Sequence, residues 1–160
     1  MYKKVLLTLD GSELAESAIP HAAQIAAGAG AEVVVMRVVD SVSHMIAQST
    51  PAGFELMPGG ITADIAMQAV DAQRGAATAE LDEVAGKLRA LGVAKVSSEI
   101  GEGVPGQAIV EAAGRLGCDL IVMATHGRSG LGRAVLGSVA DHVVRHSERS
   151  AVLLVRPHAT

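Results

Sequence analysis

Short apolar runs alternating with helical stretches along the whole chain predict a doubly wound α/β domain with a five-stranded parallel sheet in the order 3-2-1-4-5. Runs such as Val5–Leu9 and Val33–Val39 are apolar without alternation, as in strands covered on both faces. The stretches between strands are long enough to carry the helical crossovers that parallel neighbours need. Hydrophobic residues make up 49% of the 160 residues but aromatics only 1%, so the core must be aliphatic, which suits Val-rich strands under Ala-rich helices. A chain of this length buries roughly 70% of its unfolded surface in one unit, so residues 1–160 are read as a single domain.

Taken in order, Val5–Leu9 is the first strand and Asp10-Gly11-Ser12 a turn with a helix cap. Leu14, Ala18, Ala22, Ile25 and Ala26 then recur at helical spacing until Gly28-Ala29-Gly30, with a kink expected at Pro20. Val33–Val39 is the second strand. Residues 40–62 show no period and hold two prolines and three glycines, which predicts a long flexible loop. Met45, Phe54 and Met57 would suit that loop to a lid or a partner surface, a disordered excursion being the other reading. Leu81, Val84, Leu88 and Leu91 mark a helix from about Ala63 to Gly92, followed by a third strand, Val93–Ile100. Pro105 stands just inside the start of the next helix, where its missing N–H costs least; Ile109, Ala113 and Leu116 give that helix a buried face. Asp119–Ala124 and Ala151–Val155 are the last two strands, with a helix over about Ser138–His146 between them.

In a sheet of this order, ligands sit outside the carboxyl ends of the strands where the winding reverses. The crevice then lies between Asp10 and the turn that follows Ala124. That turn runs Ala124-Thr125-His126-Gly127 and, after a further stretch, Gly137-Ser138 at a helix start. Glycines let the backbone approach an anion, and the N–H groups and dipole of the helix favour negative charge, so phosphate is the natural guest. The Ser138 hydroxyl either donates to a phosphate oxygen or caps the helix. Asp10 either meets the ligand or caps the turn at Gly11-Ser12.

Other chemistries find less support. A net charge of -4, with one Tyr, one Phe and no Trp, argues against nucleic acid as partner. Arg128, Arg133, Arg145 and Arg149 are interrupted by Asp141 and Glu148 and read as a solvated face. Cys118, the only cysteine, excludes an internal disulfide and suits a reducing compartment. Only five residues separate Lys4 from Asp10, too few for a signal-peptide core or a membrane span, so a cytoplasmic protein without membrane partners is expected. Gly101-Glu102-Gly103-Val104-Pro105-Gly106 fits the G-x-G-x-x-G pattern, but it follows the third strand and Pro105 removes an N–H, so it reads as a tight turn. There is no P-loop lysine, and no Asp ends the third strand as a phosphoacceptor domain would need. His142 and His146 lack a third metal ligand nearby. His126 has no evident partner carboxylate or nucleophile, so no catalytic constellation and no metal site is assigned.

The segments VLLTLDGSELAESA, EGVPGQAIVEAA, DLIVMATHGRSGLGRAVLGSVADHVVRHS and AVLLVRP together resemble the universal stress protein family nearly end to end, apart from the loop of residues 40–62. The resemblance implies a Rossmann-like fold that binds ATP, ADP or AMP, with or without Mg²⁺, in a stress response. The family's nucleotide-binding branch carries Gly-x2-Gly-x9-Gly-(Ser/Thr); here the run is Ala124-x2-Gly127-x9-Gly137-Ser138, with Ala124 in place of the first glycine. That methyl is tolerable where φ is negative and costly where it is positive. By the same resemblance Asp10 contacts ribose or adenine, and Val38, after the second strand, lines the adenine pocket. Thr8 forms a wall where binding relatives can carry proline, and Gly127, Gly137, Ser138 and Val139 hold phosphates and ribose. The resemblance also implies a homodimer through strand 151–155; slow ATP hydrolysis and a dimeric module that binds no nucleotide are the alternative activities.

Overall fold

The computed structural model describes residues 1–49, 63–125 and 136–156. Strands β1 (Lys4–Leu9), β2 (Glu32–Val39), β3 (Lys95–Glu102), β4 (Leu120–Ala124) and β5 (Ala151–Val155) form one parallel sheet in the order β3-β2-β1-β4-β5. The expected architecture and strand order are therefore both present. Helices α1 (Glu13–Glu16), α2 (Ile19–Ala29), α3 (Val42–Ser49), α4 (Ala63–Ala90), α5 (Pro105–Leu116) and α6 (Ser138–His146) connect and cover the strands.

Because strand side chains alternate between faces, each central strand feeds two cores. Val5, Leu7 and Leu9 of β1, Val33 and Val35 of β2, and Leu120 and Val122 of β4 meet Ile19 and Ala22 of α2 and Leu81, Val84 and Leu88 of α4. On the other face Leu6, Val34, Met36, Ile121 and Met123 meet Ile109 and Ala113 of α5 and Ala140 and Val143 of α6. Covering both faces is why the strands read as continuous apolar runs. No helix among the described residues is long and apolar enough to cross a membrane.

Two local expectations change. The first helix does not run through Pro20 with a kink. A ring at Pro20 would press on the Glu16 carbonyl and offer it no N–H, so α1 stops at Glu16, and α2 begins at Ile19 with Pro20 in its first turn. Leu14, on this short α1, is exposed rather than buried. The second change falls on the stretch 40–62, read as loop throughout: its first part is the helix α3. The Ser41 hydroxyl accepts from His44 N–H at 3.2 Å, and Val42, Met45 and Ile46 share a half-buried face. The span is short, and the glycines beyond it hide its period. The rest of that stretch, with Phe54 and Met57 and the lid or partner role read for them, lies outside the described residues.

Cys118 is buried in the α5/α6 core, and loss of solvation pushes its thiol from 9.0 up to about 11. The unfolded chain therefore releases this proton first, so the contribution is complete below about pH 9 and is lost as pH rises to about 11. Urea midpoints measured across that range should fall for the native protein, and Cys118→Ala should flatten the fall. Leu7→Ala, which empties a fully buried site at the sheet centre, should cost about 2–5 kcal/mol in urea unfolding.

Candidate functional site: the crevice at the strand-order reversal

A cavity of about 410 Å³ opens outside the carboxyl ends of β2, β1 and β4. It is lined by Thr8 and Asp10 at the end of β1, Val38 in β2, Ala124 at the end of β4, and Gly137, Ser138 and Val139 where α6 begins. The structure thus brings together every expected site residue except Gly127, which lies outside the described residues, as does His126. Val38 belongs to β2 itself rather than to the turn after it.

The phosphate end is built from backbone. Thr125 N–H donates to the Val155 carbonyl at 2.8 Å, and Gly137 N–H donates to the Thr125 carbonyl at 3.0 Å, so the chain leaves β4 and returns to α6 through one fastened stem. Gly137, not Ser138, is the N-cap, and no side chain caps the helix. The capping role open to Ser138 is therefore overturned: glycine fits the close return to Thr125, and Ser138 is displaced into the first turn. Asp141 N–H reaches the Gly137 carbonyl at 2.8 Å as the first helical bond. The N–H groups of Ser138, Val139 and Ala140 precede it, without acceptors inside the helix, at the wall of the cavity. Such a terminus attracts anions. Ala124 is compatible with this arrangement, because no non-glycine residue among those described has positive φ.

The middle of the cavity is fixed by the turn after β1. Asp10 Oδ1 accepts from Ser12 N–H at 3.0 Å and from Ser12 Oγ–H at 2.6 Å, while Ser12 Oγ accepts from Ala15 N–H at 3.2 Å. Asp10 therefore caps the turn and lines the cavity at once. Gly11 has φ +80°, and a Cβ there would lie 2.8 Å from an Arg37 guanidinium nitrogen. Arg37, pressed against this turn, forms a largely buried ion pair with Glu80 of α4. Sequence reasoning missed Arg37, an isolated cation inside an apolar run.

At the far end the β1–β2 ladder stops at Leu9 and Arg37, while β2–β3 pairing continues to Val39 and Glu102. Gly103 N–H donates to the Val39 carbonyl at 3.0 Å, and Val38, Val39 and Asp40 all line the cavity. Asp40 N–H donates to Gln73 Oε1 at 3.0 Å, Gln73 Nε2–H to Asp40 Oδ2 at 3.2 Å, and His44 Nδ1 lies 3.3 Å from Asp40 Oδ1. Asp40 and Gln73 both line the cavity and were not singled out from sequence. Asp40 did carry a signal, for it ends the second apolar run as Asp10 ends the first; Gln73, inside a long helix, carried none.

The remaining motifs are structural. Gly103, at φ +91°, and Pro105, in the first turn of α5, form the tight turn read from the glycine pattern. A Cβ on Gly101 would fall 2.5 Å from Met36 Cε. The His142 and His146 rings stack at 4.1 Å, with His142 over Gly106, and no group of three metal-ligating side chains occurs among the described residues.

The sequence model of the Universal stress protein family matches residues 1–156. The chain belongs to the universal stress protein family. Universal stress protein MJ0531 of Methanocaldococcus jannaschii is 33% identical over 157 residues, covering 98% of this chain and 84% of that one. The solved structure of MJ0577, from the same organism, superposes with a TM-score of 0.80 at 27% identity, covering 100% of this universal stress protein and 99% of its own chain. A universal stress protein solved in complex with cAMP superposes with a TM-score of 0.68 at 26% identity, covering 98% and 99%.

Ala124→Gly tests whether the methyl is strained. Without strain, the exchange should lower stability in urea unfolding by about 0.5–1 kcal/mol, the ordinary cost of glycine in a strand; relief of strain would raise stability instead.

Proposed function

We propose that this universal stress protein binds an adenine nucleotide, ATP or its products ADP and AMP, and acts as a regulatory component of a stress response in the cytoplasm. The observation that carries the reading is the N-terminus of α6, whose acceptor-free N–H groups border the cavity that Asp10 also lines. Phosphates would rest on Ser138 and Val139 and on the turn through Gly127, ribose beside Asp10, and the base between Thr8 and Val38. Mg²⁺, when bound with ATP, would share the phosphate charge. The relative that holds cAMP in the same fold supports an adenylate guest.

The proposed assembly is a homodimer of single-domain chains through β5. Val152, Leu153 and Leu154 are half-buried on a strand that pairs only with β4 among the described residues. Apolar edges of this kind invite a further strand. The opposite edge, β3, instead exposes Lys95, Ser97 and Ser98.

Denaturing the purified protein and weighing the released small molecules should yield AMP, ADP or ATP, and calorimetric titration of emptied protein should show uptake. Ser138→Asp adds a carboxylate that suits the helix terminus but repels phosphate. Affinity for ATP should therefore fall at least about tenfold while the thermal midpoint holds or rises; unchanged affinity, or a null titration of the native protein, refutes the proposal. Light scattering at micromolar concentration should give twice the monomer mass, and a charged residue at Leu153 should halve it.

A further inference from the structure

The β1–β2 ladder ends on one rung, Leu9 opposite Arg37, and the turn Asp10-Gly11-Ser12 stands beyond it. The bonds from Ser12 N–H and Oγ–H to Asp10 are internal to that turn. They fix its shape without setting its height over the sheet, and the height decides where the Asp10 carboxylate meets a guest.

Arg37 supports the turn from outside. Its side chain follows Val33 and Val35 on the sheet face that α2 and α4 cover. A Cβ on Gly11 would lie 2.8 Å from Arg37 Nη2, 2.9 Å from Nη1 and 3.0 Å from Cζ. Near-equal distances to three atoms of one planar group mean that the guanidinium presents its flat face to Gly11. The tip of a long side chain ordinarily swings aside under such pressure. This one is held, because Nη1 is paired with Glu80, the two side chains being only 15% and 21% exposed. Ion pairs buried to this degree are little screened by salt, and removing one partner leaves the other's charge uncompensated. Glu80 is itself anchored by its neighbour in α4, Leu81, which is buried in the core.

Glu80 is not among the residues that line the cavity, whereas Arg37 and Asp10 are. We propose that Arg37 is a positioning residue: α4 holds its guanidinium flat against Gly11 through Glu80, and this plate sets the Asp10 carboxylate at the height of the guest. The seating of α4 thereby governs affinity in the crevice. This role rests on nucleotide binding with the ribose beside Asp10, and adds to it the means by which an outer helix regulates that contact.

The test is calorimetric titration of the full chain with AMP and with 2′,3′-dideoxy-AMP, which lacks the ribose hydroxyls. AMP should bind at least about tenfold more tightly, the scale of a hydrogen bond to a charged group. Glu80→Gln keeps the size of the side chain but removes the charge that holds Arg37, and Arg37→Met removes the plate. Each should bring the two affinities within about threefold, chiefly by weakening AMP. A changed ratio from a residue outside the cavity is a readout that lost packing alone does not give. Should one variant not fold, the other decides. A folded variant that leaves the ratio as it is in the native protein, or weakens both ligands by the same factor, makes the ion pair merely structural and overturns the proposal. Equal binding of the two ligands by the native protein overturns it while leaving nucleotide binding intact. Binding of neither overturns the nucleotide reading. The contact itself is read without ligand: Gly11→Ala should lower the urea midpoint more in the native background than beside Arg37→Met, and equal losses overturn the plate.

Discussion

The rest of the site depends on a reversal of winding at the centre of the sheet. From β1 the chain steps through β2 to β3, then returns to β4 and steps outward to β5. Parallel neighbours force each connection over a face of the sheet, so the segments leaving β1 and β4 diverge. Between those two carboxyl ends nothing need cover the sheet edge, and the backbone there must find partners other than a ladder. Asp10 supplies one for Ser12, Thr125 for Gly137, and Gln73 for Asp40. The cavity is thus a place where strand pairing has ended and side chains or a ligand complete it.

Positive potential along the cavity wall resides in backbone. Arg37 is the cation on the cavity wall among the described residues, and it is engaged with Glu80. The N-terminus of α6 is left to provide positive potential, which acts within about the first turn of a helix. Asp10 and Asp40 place negative charge at the other steps of the cavity. A guest with charge at one end and a polar, uncharged ring system at the other conforms to that gradient, whereas a dianion spread along its length does not.

The central strands were legible because each is apolar on both faces, and the strand order followed from the pattern of connections. Features governed by one residue or by distant partners were less so. Pro20 marked a disturbance in the sequence, yet whether it kinks a helix or starts one depends on the Glu16 carbonyl four residues earlier. Gly137 and Ser138 both make acceptable caps, and only the bond from Gly137 to Thr125 decides between them. Ala124 stood out as a departure from a motif, but its tolerance is a matter of φ, which sequence does not carry. Asp40 and Gln73 are 33 positions apart and meet only through the packing of α4 against the end of β2.

Among the described residues the hydrophobic core contains no aromatic ring: it is built of aliphatic chains, methionines and a cysteine, and Tyr2 is exposed. With no tryptophan and one tyrosine in the entire chain, the molecule is nearly transparent in the near ultraviolet. A bound purine would be its dominant chromophore. The absorbance spectrum of the folded protein would therefore report whether a purine occupies the crevice, almost without background from the polypeptide.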